Sequence, residues 1–78
     1  MGPLANQELQ DYFSHYGDVL EVMVDDGKFG AVRFASHDGV ERALEDGSPV
    51  WGLSWECKHD VNGQMIACSR SQMVRTLG

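Results

Sequence analysis

Positive charge is scarce in this chain: six Lys and Arg stand against twelve Asp and Glu, for a formal net charge of -6. A protein that grips phosphates ordinarily carries a basic surface, and this one repels them at long range. Cysteine is scarce too. Cys57 and Cys68 are too few for a disulfide scaffold and lack metal-ligand spacing, so reduced thiols in an intracellular setting, nuclear or cytoplasmic, are expected. No apolar run nears the roughly 18 residues of a membrane-spanning helix, and the N-terminus has no basic-then-apolar leader. Catalytic patterns are missing as well. There is no Gly-rich phosphate loop and no nucleophile elbow, and His15, His37 and His59 are widely separated with no cysteine completing a zinc set or a triad. Asp25, Asp26, Glu45 and Asp46 form acidic pairs in turns without the spacing of a calcium loop, so they are expected to be solvated. These absences argue against an enzyme and imply no cofactor.

What is present is a small globular chain. At 78 residues and 42% apolar content it suits one domain over residues 1–78, with residues 1–5 as a leader and 71–78 as a flexible tail. Asn6 is placed to cap a helix in which Leu9, Tyr12, Phe13 and Tyr16 recur at helical spacing, with Gly17 as its C′ residue. Val19, Val22 and Val24 then mark a strand, and Asp25-Asp26-Gly27 turns the chain into a second one, Lys28 to Phe34. Ser36 is placed to cap a second helix, with Val40, Ala43 and Leu44 on its buried side and Glu41, Arg42 and Glu45 outside. Asp46-Gly47-Ser48-Pro49 ends that helix, and a further strand carries Leu53, Trp55 and Cys57 on one side.

The run Lys28-Phe29-Gly30-Ala31-Val32-Arg33-Phe34 resembles the longer ribonucleoprotein signature of the RNA-recognition motif. Phe29 falls on the first aromatic, Gly30 on the small residue, Val32 on the aliphatic position and Phe34 on the last aromatic. Two positions depart: Gly27 stands where a base is expected, and Ala31 replaces the second stacking aromatic. The segment from Glu8 to Val19 is similar to that family's first helix and its exit. The resemblance spans about residues 6–58 and implies an α+β, ferredoxin-like sandwich: a four-stranded antiparallel sheet with two helices on one face. It also implies a first strand before the first helix, which this chain has no room for.

The C-terminal residues offer a replacement. Asn62-Gly63 is a strong hairpin signal, and Gln64 to Arg70 reads as a strand folding back on Trp55 to Val61. That strand is expected to take the vacant first-strand slot in a circularly permuted arrangement. The alternatives are an extension of the sheet edge, or a slot filled by a partner chain in a strand-exchanged dimer. A two-residue turn sets Val61 against Gln64, His59 against Ile66 and Cys57 against Cys68, with both cysteines in the core beside Trp55.

By the same alternation Phe29, Ala31, Arg33, Glu21, Met23, Lys58, Met65 and Ala67 line the open side of the sheet. The resemblance implies that such a side binds single-stranded RNA by stacking bases on aromatic rings. Phe29 and Arg33 are the leading candidates, with Lys28, Lys58, Met65 and Arg70 around them. One ring and few bases imply weak binding, in RNA processing or regulation. The competing expectation is a protein-interaction module of the same fold, favoured by Ala31 and by the negative charge.

Overall fold

A computed structural model describes residues 5–25, 28–51 and 53–77, the side chains of Leu53 and Ser54 excepted. The leader Met1 to Leu4, the Asp26-Gly27 turn and the inward placement of Leu53 lie outside the described residues.

Helix α1 (Asn6–Phe13) forms because Leu9 and Phe13, one turn apart, both bury completely. It starts one residue earlier than expected. Ala5 holds the N-cap position and its carbonyl accepts from Leu9 N–H at 3.2 Å, while the Asn6 amide donates to the Val22 carbonyl at 3.4 Å. Ser14, not Gly17, follows the last helical residue. Strands β1 (Val19–Asp25) and β2 (Phe29–Phe34) form an antiparallel pair whose register shifts between Val19 and Glu21. That bulge turns Leu20 out to solvent. Helix α2 (His37–Asp46) follows Ser36, which sits at the N-cap with extended backbone and no side-chain capping bond.

The rest of the chain is a meander: β3 (Ser48–Val50), β4 (Leu53–Val61), β5 (Gln64–Ser69) and β6 (Met73–Thr76). The sheet thus has six strands rather than four, in the order β1-β2-β6-β5-β4-β3, every neighbouring pair antiparallel. The β4–β5 pairing has the register expected of a two-residue Asn62-Gly63 turn, from Val61 against Gln64 to Cys57 against Cys68. Both turn residues have positive φ, 53° and 85°, as a type I′ turn requires.

The slot beside β2 is filled differently from the expectation. It holds β6, formed by residues expected to be a loose tail, and Gln64–Ser69 lies one place further out. The reason is direction. With all neighbours antiparallel, β5 runs the same way as β2 and cannot complete an antiparallel ladder against it; one more reversal is needed. Gln72, with φ 67°, makes that reversal, its N–H donating to the Ser69 carbonyl at 2.9 Å. It then joins β6 to β2 twice, accepting Val32 N–H on its carbonyl (2.9 Å) and Phe34 N–H on Oε1 (2.8 Å).

One core lies between helices and sheet: Leu9, Phe13, Val40 and Ala43 from the helices meet Val32, Phe34, Cys57, Val61, Ile66, Cys68 and Val74 from the strands. Trp55 departs from the expected inward position. It precedes Glu56, the last β4 residue paired with β5, and its ring is 54% exposed at the end of the sheet. Among the described residues no helix is long and apolar enough to cross a membrane.

Candidate nucleic-acid interface

Strand alternation divides β2 cleanly. Gly30, Val32 and Phe34 are buried, while Phe29, Ala31 and Arg33 face the side away from the helices. Gly30 must be small: a Cβ there would collide with the Met23 carbonyl oxygen across the hairpin. This is the physical content of the small position in the signature.

Cross-strand register builds the open face into rows. One row runs through every strand: Asp25, Phe29, Arg75, Ala67, Lys58 and Ser48. The next places Met23, Ala31 and Met73 side by side. Phe29 is 55% exposed, and Met23 and Met73 are about equally so, which makes a small apolar field around one ring. Ala67 is on this face as expected, yet its methyl, flanked by Arg75 and Lys58, is almost fully covered.

The cations of this face are largely matched by carboxylates. Arg33 lies 3.5 Å from Glu21, both side chains exposed. Arg75 meets Glu56 through two nitrogens, at 3.2 and 3.1 Å, and that carboxylate raises the guanidinium pKa above its ordinary value. Lys58 forms no ion pair among the described residues. Lys28 closes the β1–β2 hairpin, its N–H donating to the Asp25 carbonyl at 3.2 Å. Met65 is exposed on β5, next to Asp60 in register. Arg70 does not join this set. It sits in the β5–β6 turn with its guanidinium doubly bonded to Glu41 of α2, on the helix layer.

A second constellation lies on the opposite, buried side. Cys57 and His59, two apart on β4, share the inward side, with Cys57 Sγ 3.3 Å from His59 Nε2. That nitrogen is 2.9 Å from the Ala43 carbonyl and so carries a proton, while Nδ1 is 2.8 Å from the Tyr12 hydroxyl. The Cys68 thiol, hydrogen-bonded to Cys57, and the His59 imidazole hold Cys57 down at about 5 against its burial. The same bond to Cys57 and deep burial push Cys68 far up. His59 is raised despite desolvation, chiefly by Cys57. Tyr16 donates to Asp46, and burial followed by that bond lifts its phenol above the ordinary range. No catalytic or metal-binding motif marks Cys57 and His59 as a contact pair. The signal was their i, i+2 spacing on a strand, which puts two side chains on one face. Both cysteines are free thiols, and burial removes them from any substrate.

The family model of the RNA recognition motif matches residues 3–50, more than half of the chain. The chain belongs to the RNA recognition motif family. The match ends with β3, so β4, β5 and β6 of this RNA recognition motif domain lie beyond the matched region. No solved structure matches the chain.

Proposed function

We propose that this domain is a single-stranded RNA-binding module of modest affinity, using the open sheet face around Phe29 and Arg33, with Lys28 and Lys58 as phosphate contacts. It is a binding unit rather than a catalyst, and its place is in RNA processing or regulation within the cell. The observation that carries the reading is the Phe29 ring, half exposed on the open face between Asp25 and Arg75, with the apolar row Met23, Ala31 and Met73 beside it. A base stacked on such a ring contributes about 1 to 3 kcal/mol, and one ring alone limits the affinity. Glu21 and Glu56 weaken it further by occupying Arg33 and Arg75.

The test is a titration with a mixed pool of short RNAs at low and at high salt. The amide signals of Phe29, Ala31 and Arg33 should shift, Phe29→Ala should weaken binding about tenfold, and salt should weaken it steeply. Silence at low salt, or an affinity indifferent to Phe29→Ala, overturns the reading. A protein-docking module is the second reading, favoured by the exposed Met23, Phe29 and Met73 and by the charge of -6. Methionines and an aromatic ring form an adaptable apolar contact surface.

A further inference from the structure

Trp51 is placed at a cost. It is the turn residue after β3, its ring is 86% exposed, and its backbone φ is 53°, in the left-handed region that bulky side chains avoid. Neither burial nor backbone preference accounts for an indole there. What it does is wall a depression of about 270 Å³ on the sheet extension, bounded by Val50, Trp51, Lys58, Met65 and Leu77. The walls are apolar except for Lys58, whose ammonium no carboxylate among the described residues engages. Leu77 is tied in place by its N–H, which donates to the Met65 carbonyl at 3.0 Å.

We propose that this depression is a second base-binding subsite, in which an unpaired base stacks on the Trp51 indole and Lys58 takes a neighbouring phosphate. The inference rests on the RNA-binding reading above but concerns a separate place, whose walls other than Val50 lie outside the region that matches the family. Geometry links the two places. Phe29 and Lys58 belong to one register row, three strand spacings or about 14 Å apart. Between them in the row stand Arg75, held by Glu56, and the covered Ala67, so a single strand stacked on Phe29 reaches Trp51 by passing over the Arg75 guanidinium, a further cation on its path. An apolar slot with one cation that no carboxylate among the described residues engages suits a base with its phosphate.

The experiment uses the full chain with Trp55→Phe, leaving Trp51 as the remaining indole, and titrates it with an eight-nucleotide oligouridylate and with a dinucleotide. The octanucleotide should quench or shift Trp51 emission and should lose roughly tenfold in affinity on Trp51→Gly. The dinucleotide, too short to bridge, should be far less affected by the same change. Trp51→Gly also relieves the positive φ, so thermal stability should hold or rise while binding falls, the opposite of what a structural tryptophan would give. If the octanucleotide binds in a Phe29-dependent way while Trp51 emission and Trp51→Gly affinity stay unchanged, the subsite is refuted and the RNA reading stands. If no RNA binds at all, both fall. An emission change produced by raising the protein concentration alone, and unaltered by RNA, assigns the indole to a protein contact and also refutes the subsite.

Discussion

Cys57 and His59 set a pH dependence that can be worked out from their directions. A thiol held down at about 5 in the fold, against roughly 8.5 in the unfolded chain, contributes stability that is present above the unfolded value and lost as pH falls through the folded one. His59, raised in the fold, contributes stability that is present below its unfolded value near 6.5 and lost as pH rises through the folded one. The two run oppositely above about pH 6.5. Between about 6.5 and 5 the imidazole is protonated in both states, and only the thiol counts. Stability should therefore fall on acidification across that window, with a slope on the order of 1 kcal/mol per pH unit. Urea denaturation at pH 5.0 and 6.5 measures it. Cys57→Ser, whose hydroxyl does not titrate, should flatten the difference, and equal slopes in the two proteins would show that Cys57 stays protonated in the fold.

At the scale of elements the decisive piece is β6. Its four residues lie between β2 and β5, which run the same way, pairing Phe29 with Arg75 and Gly30 with Val74 on one side and Cys68 with Val74 on the other. Truncation after Arg70 removes buried Val74 and the Gln72 bonds to β2, and leaves two strands of like direction facing each other. Burial of one Val is worth about 1.5 to 3 kcal/mol, and a small domain has only about 5 to 15 kcal/mol in total. The truncated chain should lose cooperative unfolding and amide dispersion; a sharp, native-like transition would mean the two halves hold without it. This element also marks where the sequence stopped being legible. The β4–β5 hairpin and its register were readable because Asn62-Gly63 tolerates positive φ on both residues and fixes the pairing. The reversal into β6 was not, because Gln72 adopts positive φ without being Gly or Asn, and Met73–Thr76 is too short to show an alternation. The open-face placement of Phe29, Ala31 and Arg33 was readable from period-two alternation alone, whereas the partners of Arg33, Arg70 and Arg75 depend on tertiary placement that no local pattern encodes.

Over the whole molecule the acidic balance acts through particular carboxylates more than through its sum. The open face offers Arg33, Arg75 and Lys58 to a phosphate chain, and two of these three are covered by glutamates on the same face. The exposed Arg33–Glu21 pair contributes about 0 to 1 kcal/mol to stability, so releasing it should cost the fold little, while the part-buried, doubly bonded Arg75–Glu56 pair should cost more. Glu21→Gln with Glu56→Gln changes the net charge from -6 to -4 and frees both guanidinium groups while leaving Phe29 and Lys58 untouched. If RNA lies across this face, the double variant should bind short oligouridylate several-fold more tightly at low salt. The plot of log affinity against log salt should also steepen, by about 0.7 for each new phosphate contact. A gain of affinity with no change of slope would mean that the carboxylates act by distant repulsion and not by covering the arginines. No gain at all would mean that these arginines never meet a phosphate, and the acidic pairs would then belong to a face made for a protein, where a Glu beside each Arg satisfies the charge before the partner arrives.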